Sequence, residues 1–178
     1  MTRRELVAIP MADGVELSAT LFFPEGDGPW PAVMEALPYR KDDLTAAYRP
    51  GYAELADAGY VRLLARRPGN GVLGRDRDRR VPDAERDDLV AVVDHLATRD
   101  WSMGTVGMFG TSYGGFTSLQ VAVERPPALK AIVPIFASDD RYTDDVHHFG
   151  GALKQLDVVD YPTYMVAMNA LPPSRRLG

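Results

Sequence analysis

Cysteine is absent from all 178 residues. Without it the chain can form no disulfide scaffold, no thiolate metal site and no cysteine nucleophile. An excess of positive charge is missing too: 20 Lys and Arg stand against 25 Asp and Glu, a formal net charge of -5 at pH 7. That balance leaves no electrostatic footprint for nucleic acid or an anionic membrane, so neither is an expected partner. No run is long and apolar enough to span a bilayer. The opening MTRRELVAIPMADGVEL is basic but has no apolar core of signal-peptide length, and a cytoplasmic location is the expectation. Histidine is scarce. His95, His147 and His148 are the only three, which limits where an imidazole base can come from.

What is present is an ordinary globular balance and enough length for one domain with a core of its own. Residues 6–10 and 15–23 read as two strands, joined at an Asp13-Gly14 turn and paired antiparallel. Residues 32–37, 60–65, 105–109 and 129–136 read as further strands, the last of them buried. Helices are expected over 52–58, over the stretch after an N-cap at Asp83, and over 113–124. In the second of these, Leu89, Val92, Val93 and Leu96 share one face. Residues 68–81 form a loop rich in glycine, arginine and aspartate. Strands alternating with helices after an opening hairpin predict an α/β fold, a mainly parallel sheet covered on both faces. From Ala137 the chain turns polar and acidic. Residues 152–170 read as partly helical, with Pro162 as an interruption.

The most informative stretch is VGMFGTSYGGF. Gly110, Ser112 and Gly114 spell G-x-S-x-G, between an apolar strand and an apolar helix. The chemistry requires that spacing. The serine must sit on a sharp strand-to-helix turn with its hydroxyl above the sheet, and the small residues let the flanking backbone close in. Ser112 is the candidate nucleophile; the alternative is a tight turn whose serine only caps the helix. A serine hydroxyl needs a base and an oxyanion hole. The backbone N–H of Tyr113 is one candidate donor. The second comes from the loop at residues 37–41, where Tyr39 can donate through its phenol or its N–H, or can be an ordinary half-buried aromatic.

Several stretches together resemble the Xaa-Pro dipeptidyl-peptidase-like (CocE/NonD) serine hydrolases of the α/β-hydrolase superfamily. They are IPMADGVELSATLFFP, LPYRK, AGYVRLLARRPG, ERDDLVAVVDHLATRDWSMGTVGMFGTSYGGF and RPPALKAIVPIFASDDRYTDDVHHFGG. The pair Trp101-Ser102 and the run RPPALKAIVP are distinctive for the group. The resemblance implies hydrolysis of acyl esters or amides, with Ser112 as nucleophile and Tyr39 and the Tyr113 N–H as oxyanion donors. It implies no cofactor and no metal. It divides the chain into an incomplete α/β-hydrolase core, residues 1–136, and the start of a helical cap, residues 137–178. The family's aspartate and histidine follow two further strands beyond that cap, so the triad is expected to be incomplete here. Leu64 and Arg67 stand where an aspartate and a glycine are usual.

The local residues offer few substitutes. His95 belongs to the helix before the elbow strand. His147 and His148 lie nearer, with Asp139, Asp140, Asp144 and Asp145 beside them, and a compact local triad is conceivable from these. Gly69, Gly71 and Gly74 spell G-x-G-x-x-G, but a charged loop follows where a dinucleotide site needs an apolar helix. The remaining reading is a non-catalytic remnant, a homo-oligomer or one half of a split enzyme completed by a second chain.

Overall fold

The computed structural model describes residues 3–37, 52–66 and 81–170. Strands β1 (Arg3–Pro10) and β2 (Glu16–Phe23) form the expected antiparallel hairpin, from Arg3 opposite Phe23 to Pro10 opposite Glu16. Its turn is closed by Asp13, whose carboxylate accepts the Val15 N–H at 3.0 Å. β3 (Trp30–Ala36) and the short helix α1 (Tyr52–Asp57) precede β4 (Val61–Arg66). α2 (Val81–Ala97), β5 (Ser102–Thr111), α3 (Tyr113–Val123) and β6 (Leu129–Ile135) complete the main body. Its six-stranded sheet has the order β1-β2-β4-β3-β5-β6. The β3–β4, β3–β5 and β5–β6 pairs are parallel, and β2 joins β4 antiparallel. The expected α/β fold with a mainly parallel sheet is therefore present.

The hydrophobic pattern explains where the core sits. Leu89, Val92, Val93 and Leu96 recur at helical spacing, and all four are buried. They pack with Met34, Val106 and Met108 from alternate positions of β3 and β5. Each such side chain contributes roughly 1.5–3 kcal/mol when fully removed from water. Phe23 closes this core between two tryptophans, edge-on to Trp30 at 6.1 Å and to Trp101 at 5.4 Å.

The opposite face of the sheet is different. Val33, Phe109, Ala131 and Val133, with Leu55 of α1 and Tyr60, line an apolar groove of about 630 Å³. The buried Arg62 forms part of its wall.

Three expectations need correction. β6 is not a buried strand: Val133 is 55% exposed. Among the described residues the strand lies at the sheet edge, with β5 as its one strand partner, and its groove-side face is uncovered. Asp83 is not an N-cap, because α2 already begins at Val81. Pro162 does not interrupt the last helix, which runs through it as α4 (Gln155–Asn169). A proline inside a helix removes one backbone bond; the next residue, Thr163, donates its hydroxyl to the Val159 carbonyl at 2.7 Å. Before α4 lies a two-strand ladder of β7 (His148–Phe149) and β8 (Ala152–Leu153), so residues 152–170 are helical in part, as expected. The expected loop at 68–81 falls almost wholly outside the described residues.

Candidate active site

The elbow is built from backbone constraints. β5 delivers the chain to Ser112, which adopts φ 58° and ψ -115° before α3 begins. A positive φ is uncommon outside glycine and costs on the order of 1–3 kcal/mol, so the surroundings must enforce it. They do so from two sides. The Ser112 N–H donates to the Ile135 carbonyl of β6 at 2.8 Å. The Ser112 carbonyl accepts the N–H groups of Gly115 and Phe116 at 2.9 and 3.0 Å.

The flanking glycines allow the close approach. A Cβ on Gly110 would lie 2.5 Å from the Gly114 carbonyl carbon, and one on Gly115 2.7 Å from Ala137 Cβ. No side chain fits at Gly110, because the atoms it would strike are backbone.

Ser112 is exposed and makes no capping hydrogen bond to α3. Its hydroxyl is not consumed in holding the helix. Tyr113 is the first residue of α3, a position whose N–H has no acceptor inside the helix itself. Its phenol donates to Glu85 Oε2 at 2.5 Å. Sequence reasoning missed Glu85. It stands 28 residues before its partner and belongs to a charged run, ERDD, that reads as a solvated helix face.

Tyr39 lies outside the described residues, as do Arg67 and the glycines at 69, 71 and 74. The strand leading towards Tyr39 does reach the elbow. A Cβ on Gly114 would sit 3.4 Å from the Ala36 carbonyl and 3.6 Å from Leu37 Cδ2. Leu64 is buried within β4, so no carboxylate stands at the position where the resemblance expects one.

The three histidines are not brought to Ser112 by any hydrogen bond among the described residues. His95 sits in the last turn of α2, which leads into the start of β5. The elbow is at the other end of that ten-residue strand, roughly 30 Å away at the usual rise per residue. Burial, and then the nearby Arg99 charge, hold the His95 imidazole below its ordinary pKa.

His147 packs its ring 5.3 Å from Tyr161, and His148 stacks 6.4 Å from Tyr142 with a buried Nδ1 that has no hydrogen-bond partner among the described residues. The neighbouring carboxylates have local roles. Asp140 accepts the Tyr142 and Thr143 N–H groups and the Thr143 hydroxyl, bonds that hold its pKa below the ordinary value. Asp145 pairs with Arg141 at 3.7 Å, and the Arg141 guanidinium covers the Phe116 ring at 4.5 Å. The segment after β6 is thus clamped onto the first turn of α3 without supplying a visible triad. Among the described residues no cluster of His, Asp and Glu is arranged to hold a metal ion. None of the helices described is long and apolar enough to cross a membrane.

Comparison with known proteins places this geometry. Residues 13–177 match the family model described as X-Pro dipeptidyl-peptidase (S15 family). The cocaine esterase of Rhodococcus sp. (strain MB1 Bresler) is 35% identical over 150 residues, covering 83% of this chain and 26% of that protein. A CocE/NonD family hydrolase from Staphylococcus aureus superposes with a TM-score of 0.75 at 26% identity, over 94% of this chain and 33% of that one. An α-amino acid ester hydrolase gives 0.72 at 27% identity, over 93% and 30%. The chain therefore spans between a quarter and a third of the length of these relatives.

Proposed function

Because this chain belongs to the X-Pro dipeptidyl-peptidase (S15) family, whose CocE/NonD relatives are hydrolases, we propose that it is the nucleophile-bearing portion of a serine hydrolase acting on acyl esters or amides. Ser112 Oγ attacks the substrate carbonyl, its proton passes by way of the base to the departing alcohol or amine as the ester or amide bond breaks, and an acyl-enzyme forms. The Tyr113 N–H and Tyr39 hold the oxyanion of the tetrahedral intermediate, and water then releases the acid. The chemistry needs neither metal nor cofactor. One observation carries the reading: Ser112 is an exposed serine at positive φ on a strand-to-helix turn, with its hydroxyl unused as a cap. The approach of Ala36 and Leu37 to Gly114 supports Tyr39 as second donor, since Tyr39 follows Leu37 by two residues.

The base belongs outside this set of residues. His95 is at the far end of β5, and His147 and His148 are engaged with tyrosine rings. A histidine and its carboxylate supplied by further polypeptide complete the triad. Residues 137–178 are then the start of the cap. Without the base, roughly 10³–10⁴-fold acceleration over water remains from the oxyanion hole and binding.

A fluorophosphonate probe tests the nucleophile directly, beside a Ser112→Ala control. Labelling of the wild-type chain that disappears in the control supports the reading; equal labelling of both removes it.

The groove over Val33, Phe109 and Val133 favours a second reading, one half of a two-chain enzyme. An apolar sheet face and edge strand left open among the described residues call for a complementing polypeptide. Such a chain would raise the labelling rate on mixing.

A further inference from the structure

We propose that Glu85 is a positioning residue for the nucleophile elbow. Its carboxylate holds the Tyr113 phenol, and through the ring it fixes the Tyr113 peptide whose N–H faces the developing oxyanion. The inference rests on the reading of Ser112 as nucleophile and adds to it a residue that the G-x-S-x-G pattern does not contain.

The elbow has few side chains with which to orient itself. The two residues after Tyr113 are Gly114 and Gly115, so Tyr113 carries the first side chain beyond the nucleophile that can reach another element. That side chain is half-buried, and its phenol O–H meets Glu85 Oε2 at 2.5 Å. The length is that of a hydroxyl donating to a carboxylate, among the stronger hydrogen bonds available to a protein.

A tyrosine has only two side-chain torsions. Tied at the phenol by α2 and at the backbone by α3, its ring becomes a strut between the two helices. The next residue of α2 grips the far end of the same helix: Arg86 Nε lies 3.1 Å from Glu124 Oε1, just past the last turn of α3. Consecutive residues of α2 thus hold the start and the end of α3. The sheet side of the elbow is held separately, by the Ser112 N–H on the Ile135 carbonyl.

The Tyr113 N–H belongs to the Ser112–Tyr113 peptide, whose carbonyl accepts the Gly115 and Phe116 N–H groups and whose flank is held through the Tyr113 ring by Glu85. Oxyanion stabilisation depends on donors that are aimed before reaction begins. A displacement near 1 Å in such a site costs about a hundredfold in rate, so loosening one restraint among several is expected to cost less than that.

The test compares fluorophosphonate labelling rates of the full chain with those of Glu85→Gln, Glu85→Ala, Tyr113→Phe and the Glu85→Ala/Tyr113→Phe double variant. Thermal midpoints are measured in parallel. Tyr113→Phe keeps the backbone donor and removes only the strut's anchor. The expected result is a loss of about tenfold in labelling rate for Glu85→Ala and for Tyr113→Phe. The double variant is expected to be no slower than either single one. Glu85→Gln, whose amide oxygen still accepts the phenol, keeps most of the wild-type rate.

A tie that serves only stability lowers the thermal midpoint and leaves the labelling rate below that midpoint unchanged. That outcome, or losses that multiply in the double variant, overturns the proposal. Where wild-type and Ser112→Ala chains label alike, the nucleophile reading itself has failed. The strut is then read from the Tyr113 amide resonance in ¹⁵N spectra. A shift in Glu85→Ala that Glu85→Gln reverses supports the restraint, and an unmoved resonance overturns it.

Discussion

The Arg62 guanidinium donates to Glu35 Oε2 at 2.7 Å, with both side chains 2% exposed. The pair joins β4 to β3 on the groove side of the sheet, and Phe109 lies under the guanidinium at 5.1 Å. A buried ion pair is weak evidence of net stabilisation, because desolvating two charges offsets most of their attraction. Breaking one is different: the partner is left charged and buried. Glu35→Ala or Arg62→Ala is therefore expected to destabilise the fold by about 3–5 kcal/mol. The joint replacement Glu35→Leu/Arg62→Met is expected to lie near wild type. Urea denaturation of the three variants checks this, and strict additivity would contradict it.

The elbow glycines and serine should separate folding from chemistry. Gly110→Ala drives a methyl into backbone 2.5 Å away and is expected to leave little folded protein. Gly114→Ala meets nothing closer than 3.4 Å and is expected to be far milder. Ser112→Gly relieves the positive φ and is expected to raise stability by about 1 kcal/mol, whereas Ser112→Ala does not. Thermal unfolding of the four variants provides the comparison.

His95 predicts a pH dependence. Its pKa in the folded chain is lowered, chiefly by burial. Below about pH 6.5, the ordinary imidazole value, the unfolded chain binds more protons than the folded one. The stability owed to neutral His95 is thus fully present above that pH and is lost as pH falls through the depressed folded value. Relative to wild type, His95→Gln should lose less stability between pH 7 and pH 5, read as the shift in denaturation midpoint.

The open groove should be visible to a dye. An apolar face of this kind binds anilinonaphthalene sulfonate. The wild-type chain is expected to enhance its fluorescence, and Val133→Glu to reduce the enhancement without lowering the thermal midpoint. No enhancement from the wild-type chain would mean that the face is covered in solution.

Much of this molecule can be read from its residues, and the boundary of what can be read has physical causes. Leu89, Val92, Val93 and Leu96 announce their helix face because periodicity is local. Gly110, Ser112 and Gly114 announce the elbow because close backbone approach demands small residues at fixed offsets. Glu85–Tyr113 and Glu35–Arg62 are not legible: each joins positions more than 25 apart in sequence, and the charged member looks like surface. β6 misleads for a related reason. LKAIVPI carries the apolar pattern of a central strand, but burial depends on neighbours that the strand's own residues do not encode. Pro162 misleads because its cost to a helix is finite, and α4 runs through it.

The fit between Gly110 and Gly114 also has an evolutionary consequence. Every codon change away from glycine at position 110 adds at least a methyl, so that position cannot drift while the chain still folds. Ser112 is under no such constraint, because the turn would relax with a glycine in its place. Along a lineage that had given up hydrolysis, the serine would be lost while the glycine two residues before it stayed. The two positions therefore record different histories: one reports that the chain has had to fold, the other that it has had to react.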